Sequence, residues 1–257
     1  MGDFDVLCLQ EVADNFGELA GSQGENQFEV LAGLLPGFQA FAGIGVDRIA
    51  GNGRRQRFGN LILSRLPVLS AWQHLLPFPA ATDTRRSPGM PRVAIEVVLD
   101  LPGGPLRVLT THLEYYSARQ RAAQVMRLRE LHEQACGHSQ DAATFSVKPG
   151  PFEPAVRAVS AVLTADFNYR PDDDLHRLMQ QPFAMASVPA WQDAWTLANP
   201  GIEHAPTVGC FDRQQWPAAF ACDFIYVTQD LAPRVRQLRV NGTTDASDHQ
   251  PVMLELA

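Results

Sequence analysis

Lysine is nearly missing from this chain: among 21 basic residues only Lys148 is a lysine. A bias toward arginine codons is a simpler account than selection for bidentate phosphate contacts, which arginine makes and lysine does not. Basic charge as a whole is in deficit, with 28 acidic residues against 21 basic and a formal net charge of −7. That balance excludes a protein that coats nucleic acid through a broad basic face. It leaves room for a nuclease, whose cleft gathers acids around a cation while a few arginines on the rim take phosphates. Cysteine is scarce, and Cys8, Cys136, Cys210 and Cys222 form no C-x-x-C pair and no zinc spacing. Cys8 lies in an apolar run and reads as a small buried hydrophobe. Cys210 and Cys222 would bridge only in an exported protein. The opening Met-Gly-Asp-Phe-Asp holds two acids and no basic stretch, so no signal segment is expected. No apolar run approaches the roughly 18 residues of a membrane span. A cytoplasmic, reduced protein without a membrane span is the expectation, and the oligomeric state stays open.

What is present is ordinary globular material: 257 residues, 46% hydrophobic and 19% charged, enough for one large domain over residues 1–257. Short β-type runs recur between turns, at residues 5–10, 38–42, 60–64, 68–72, 92–99, 106–112, 159–166, 223–228, 234–240 and 251–256. The run 93–99 mixes alternation with continuous apolarity, as a sandwich strand buried on one or both faces does. Residues 101–105, Leu-Pro-Gly-Gly-Pro, read as a hairpin loop. A capping box at Ser117–Gln120 predicts a helix carrying Ala122, Val125, Leu128, Leu131 and Ala135 on one face, with Gly137 as its stop. A similar start at Asn26 predicts a second helix with Phe28, Leu31, Ala32 and Leu35 inside, ended by Pro36-Gly37. A third, shorter helix is expected after Pro171, with Asp172, Asp173 and Asp174 in a first turn where the helix dipole favours acids. Many strands against few helices predict two packed sheets with helices outside. Residues 138–157 are the one candidate insertion, read as a surface loop in preference to a lid.

Five stretches place a carboxylate, amide or imidazole at the end of an apolar strand, where side chains can converge on one cleft. Glu11 ends the first strand, a position suited to a hard cation, though surface strands commonly end in Glu. His112 ends the run Leu-Thr-Thr-His; a lone histidine there is more often structural. Asp166 and Asn168 stand two apart before a turn, where an acid accepts a proton from water and an amide orients that water; an Asx-rich turn reads the same way. Asp223 enters a hydrophobic strand. Asp248 and His249 sit side by side before another, offering a metal ligand and an imidazole for phosphoryl oxygens, with Asp223 able to orient His249.

Taken in order, L-Q-E, G-N-L-I-L-S-R, T-H-L-E, A-D-F-N, D-F-I-Y-V and S-D-H-Q-P-V resemble successive signature blocks of the endonuclease/exonuclease/phosphatase superfamily. That group includes DNase I-like nucleases, abasic-site endonucleases, sphingomyelinases, inositol-polyphosphate 5-phosphatases, deadenylases and tyrosyl-DNA phosphodiesterases. The resemblance runs from about residue 3 to the end, with a hint of the tyrosyl-DNA phosphodiesterase-like and bacterial branches in the T-H-L-E block and the helix after it. It implies a DNase I-like, four-layer α/β/β/α sandwich of two mixed, mostly antiparallel sheets. It implies a divalent-metal-dependent hydrolase of phosphate esters, of phosphodiesterase or nuclease type. Glu11 would bind Mg²⁺ or Mn²⁺, with Asp248 near the same ion. Asp166 would activate the attacking water, Asn168 would hold water or phosphate, and His249, oriented by Asp223, would stabilise the pentavalent transition state. His112 would neutralise or protonate a phosphate or leaving oxygen. The substrate is left open among nucleic acid, a phospholipid headgroup, an inositol phosphate and a small diester.

Two departures stand out. Ala165 replaces the glycine that usually precedes D-F-N, harmless unless the backbone there needs positive φ. The family usually opens with a strand carrying a metal-binding Asn and then a helix, whereas this sequence begins directly on the L-Q-E strand. An open sheet edge and an incomplete metal shell are the expectation, and a degenerate, non-catalytic phosphate- or nucleic-acid-binding protein of the same fold is the alternative. Arg48, Arg54, Arg55 and Arg57, and Arg85, Arg86 and Arg92, read as solvated loops before they read as phosphate-gripping rims. Trp72, Trp191, Trp195 and Trp216 read as packing before they read as base-stacking platforms.

Overall fold

The protein was described from a computed structural model, which covers residues 4–51, 53–81, 87–141, 150–212 and 214–257. Its centre is a six-stranded sheet in the order β4 (Val68–Leu75), β5 (Val93–Leu99), β6 (Leu106–His112), β7 (Ala161–Asp166), β9 (Asp223–Thr228), β8 (Trp191–Asp193). Only β6 and β7 pair in parallel among the described strands. Every residue of β5 and β6 is buried. That explains the continuous apolarity: these strands are covered on both faces, so alternation against solvent has nothing to select it.

One face packs on two smaller sheets. β1 (Val6–Asp14), β3 (Arg55–Ser64) and β2 (Gln39–Ile49) make a three-stranded sheet with β3 in the middle, and β10 (Val235–Val240) pairs with β11 (Val252–Leu256). Val6, Cys8, Phe41 and Ile62 from the first, and Val240, Val252 and Leu254 from the second, join Val97, Val108, Val162 and Val227 in one core. Buried polar groups tie the layers as well. Asn60 of β3 donates to Val93 O at 2.8 Å, and Gln10 of β1 donates to Thr110 Oγ1 at 2.7 Å.

Helices cover the outer faces. α1 (Gln27–Leu34) packs Phe28, Leu31 and Ala32 on Val12, Leu61 and Leu63. α2 (Ala118–Asp141) packs Val125, Leu128 and Leu131 on Leu109 and Leu163, and α3 (Asp174–Met179) joins them through Met179. The α/β/β/α order expected from the sequence is therefore present.

All ten predicted strands form, most with shifted ends. Three elements escaped the sequence reading: the three-residue β8, the short α4 (Ala194–Ala198) and a 3₁₀ turn at Gln229–Arg234, all too brief to show periodicity. Gly137 does not stop α2, which runs on to Asp141, because one helical glycine costs only about 1 kcal/mol and Ala135 and Cys136 are already buried there. The expected insertion at 138–157 is corrected accordingly: its first residues are helix. Residues 142–149 lie outside the described residues, and residues 150–157 run beside β4, where Ser70 Oγ donates to Val156 O. Ser117 caps α2 through the Gln120 N–H, but the Gln120 amide goes to Pro79 O instead of returning to the cap. Asn26 stands at the N-cap of α1 without a side-chain cap bond, whereas Asp173 caps α3 through the Leu175 N–H.

Candidate functional site

The predicted strand-end residues meet where β6, β7 and β9 end beside β1. Because β6 and β7 run parallel with His112 opposite Asp166, and β9 runs against β7 with Asp223 opposite Asp166, three chemical side chains arrive at one sheet edge. β1 reaches the same edge across the sandwich. There a bulge shifts the β1–β3 register between Leu9 and Val12, and Glu11 takes φ of 59°. A non-glycine residue in the left-handed region at a bulge re-aims its side chain. The Glu11 carboxylate reaches to 3.6 Å from His112 Nδ1.

A chain of polar contacts then runs through the site. His112 Nε2 lies 3.3 Å from Asp166 Oδ2, and His249 Nε2 lies 3.9 Å from the same oxygen. His249 Nδ1 is 2.9 Å from Asp223 Oδ2, which also accepts from Thr207 Oγ1 at 2.5 Å. Asn168 occupies φ of 54°, which asparagine tolerates. This turn lets its N–H donate to Asp166 Oδ1 at 2.9 Å. Its Nδ2 donates to Leu113 O and lies 3.0 Å from His112 Nε2. Ala165 is not in the left-handed region, so the replacement of the usual glycine carries no backbone strain. Asp248 is exposed, accepts a long hydrogen bond of 3.4 Å from Ser247 Oγ, and acts on Glu11 and His249 through its charge.

Electrostatics separate the two histidines. Burial, then the Arg92 and His249 charges, push His112 well below the ordinary histidine value, so it is a neutral imidazole with one N–H to donate. His249 goes the other way. Burial opposes its charge, but the Asp223 hydrogen bond and charge, with Asp166 and Asp248 behind them, raise it to about 9. Asp166 is pushed well up by burial and by the Asp223 charge. Glu11 is raised too, by desolvation in the cleft and by Asp248, against the cations Arg92 and His249.

Two residues here play parts the sequence reading did not give them: Arg92, expected in a solvated loop, is buried instead, and Thr207 was not read at all. Arg92 packs buried against Glu114, with Nη2 at 3.3 Å from Oε2. It therefore sits beneath the site as an anchored cation, and the Glu of T-H-L-E serves that pair and the Tyr116 N–H. Thr207, the second donor to Asp223, has no sequence signal, being an isolated threonine in a loop. It is placed by the bridge of Val208 to both Phe220 and His249. Arg55 and Arg57 pair with Asp47 and Asp14, while Arg85 and Arg86 lie outside the described residues. Trp191 and Trp195 are buried, as the packing reading has it.

A two-sheet sandwich with carboxylates, imidazoles and an amide gathered at one edge is the architecture of the phosphoester hydrolases with the DNase I-like fold. The sequence profile of the Endonuclease/Exonuclease/phosphatase family matches residues 1–249, and the chain belongs to that family. The fold is similar to an endonuclease/exonuclease/phosphatase from Bacteroides vulgatus, with 19% identity, 98% of this chain and 84% of that one covered, and a TM-score of 0.66. It is similar to a mannosyl-6-phosphatase of Bacteroides thetaiotaomicron VPI-5482, with 17% identity, coverages of 99% and 85%, and a TM-score of 0.62. It is also similar to the human Nocturnin catalytic domain with bound sulfate, with 18% identity, coverages of 98% and 80%, and a TM-score of 0.55. No curated protein sequence matches the chain. The family acts on phosphate esters and generally uses divalent metals. Among the described residues no helix is long and apolar enough to cross a membrane.

Proposed function

We propose that this protein is a divalent-metal-dependent phosphodiesterase or nuclease, in which water attacks phosphorus in line. The observation that carries the reading is the junction at Asp166, a buried carboxyl held above its ordinary value within 3.9 Å of a histidine raised to about 9. A carboxylate whose proton affinity lies close to working pH is matched to take a proton from water. The Asn168 N–H on its other oxygen holds it in place. His249, cationic because Asp223 faces its Nδ1, presents Nε2 to an oxygen where charge develops. His112, held neutral, faces the Glu11 carboxylate from Nδ1 at 3.6 Å and helps to position it.

The donor set fits a hard cation. The Asp248 charge raises the cost of ionising Glu11, a repulsion that Mg²⁺ or Mn²⁺ would remove, and both side chains offer oxygens. Bound there, the ion would neutralise phosphate charge. Nucleic acid, a phospholipid headgroup and a small diester all present the phosphate this site would take. The four cysteines are free, in keeping with a cytoplasmic, reducing location. A degenerate binding protein is the second reading, since among the described residues β1 pairs only with β3 and β11 only with β10.

Hydrolysis of bis-p-nitrophenyl phosphate with Mn²⁺ separates the two readings. The parent should turn over, Asp166→Ala and His249→Ala should each lose at least about 100-fold in kcat, and chelation should abolish the rate. A parent no faster than the two variants would hand the site to the binding reading.

A further inference from the structure

The six-stranded sheet buries a second charged cluster that the edge site does not use. Glu96, the one charged residue of β5, is fully buried. Around its carboxylate stand Arg157 Nη2 at 3.2 Å, Arg107 Nη1 at 3.5 Å and His74 Nε2 at 3.6 Å. Two guanidinium ions thus face one carboxylate. Arg107 places other donors on Ala158 O and His132 Nδ1, both at 2.6 Å. Arg157 is less well satisfied. Its side chain is only 7% exposed, its Nε is buried without a hydrogen-bond partner, and its guanidinium lies 4.5 Å from the centre of the Trp72 ring. A buried cation in excess of its counter-charge is costly and calls for an anion.

Space for one lies beside it. A cavity of about 370 Å³ is lined by Trp72 and His74 of β4, by Arg127, Gln134 and His138 of α2, and by Arg157. Positions 127, 134 and 138 follow the helical repeat and share one face of α2. No acidic side chain lines the cavity among the described residues, in a protein with a net charge of −7. Its volume falls in the small-molecule range of about 300–1,000 Å³. Trp72 lines this space with 38% of its surface exposed and Arg157 over its ring, so an aromatic ligand would meet the part of the indole that Arg157 leaves open.

We propose that this cavity is a binding site for a planar aromatic anion, with its ring against Trp72 and its charge on Arg157. The site is distinct from the edge where Asp166 lies. Trp72 registers with Glu96, and Glu96 with Leu109, three residues short of His112. Leu109 points into the helix-covered face, against α2. A ligand here joins β4 to α2 and does not require the hydrolase reading to hold.

Isothermal titration of the full chain with naphthalene-2-sulfonate, at low salt and without divalent metal, tests the proposal. Saturable binding of one molecule per chain is expected. Sodium sulfate and 2-naphthol, which carry the charge or the ring alone, should each bind at least about tenfold more weakly. Arg157→Met leaves Glu96 matched by Arg107 and should weaken the sulfonate about tenfold. Trp72→Leu, at a half-open position on a strand at the sheet edge, should do the same with its circular dichroism unchanged. The proposal is overturned by absence of saturable binding, by sulfate or 2-naphthol matching the sulfonate, or by a folded variant that binds as the parent does.

Discussion

His112 and His249 stand within reach of the same Asp166 oxygen, yet their surroundings drive them in opposite directions. Burial beside Arg92 keeps His112 neutral, while Asp223 keeps His249 charged. The residue that decides the second case is a partner, not the histidine itself. Asp223→Asn preserves shape while removing the charge opposite Nδ1, and should lower kcat about 10- to 100-fold with KM little changed. Thr207→Val keeps that charge but removes a hydrogen bond to the same oxygen and the Oγ1 acceptor of the Cys222 and Asp223 N–H groups. It should cost less in kcat, about 3- to 10-fold, together with some stability. Steady-state kinetics on a chromogenic diester ranks the two; a larger loss from Thr207→Val would reverse the assignment of roles. The Glu11 bulge and the Asn168 turn belong to this scale too. Both side chains were visible as types in the sequence, but a left-handed φ at a glutamate is set by strand pairing and leaves no mark in the residue letters.

At the scale of the element, a buried polar contact ties α2 to β6 in addition to their apolar packing. Arg107 Nη2 meets His132 Nδ1 at 2.6 Å, and His132 Nε2 donates to Pro189 O at 2.9 Å. Burial and the Arg107 charge lower His132 to about 3. The folded-state value lies below the unfolded value of about 6.5, so the sign is fixed: above pH 6.5 neither state is charged and His132 is neutral for stability. As pH falls below 6.5 the unfolded chain takes a proton that the folded one refuses. Stability then drops by about 1.4 kcal/mol per pH unit down to pH 3. Urea unfolding at pH 7, 5.5 and 4.5 should show this slope, and His132→Gln, which can both accept and donate, should flatten it. An unchanged slope in the variant would place the acid sensitivity elsewhere. Helical periodicity in the sequence revealed which face of α2 is buried. It did not reveal that His132 would meet an arginine from a strand 25 residues earlier.

Across the whole molecule, the two β layers are held by an apolar core with a few polar ties through it. Asn60, 3% exposed, reaches from β3 to Val93 O on β5, and Thr111 donates to the same carbonyl at 2.9 Å. Because the carbonyl keeps that second donor, Asn60→Ala should cost about 1–2 kcal/mol instead of the larger penalty of an orphaned buried group. Chemical denaturation checks this, and a variant as stable as the parent would show that the amide does not join the layers. The same inter-layer packing carries β1 to the edge of the six-stranded sheet, which is how Glu11 comes to face His112 from the opposite layer.

The sequence by itself determined the strands, the principal helices, the layered class and the types of residue at the strand ends. Those features are written locally, in periodicity, turn chemistry and short motifs that survive reading along the chain. Tertiary structure alone decided that these residues share one edge, which histidine holds its proton, that Arg92 and Thr207 support them, and that Arg157 lies buried with its Nε unpartnered. Such properties depend on distances between segments far apart in the chain, and on how much water those segments exclude when they meet.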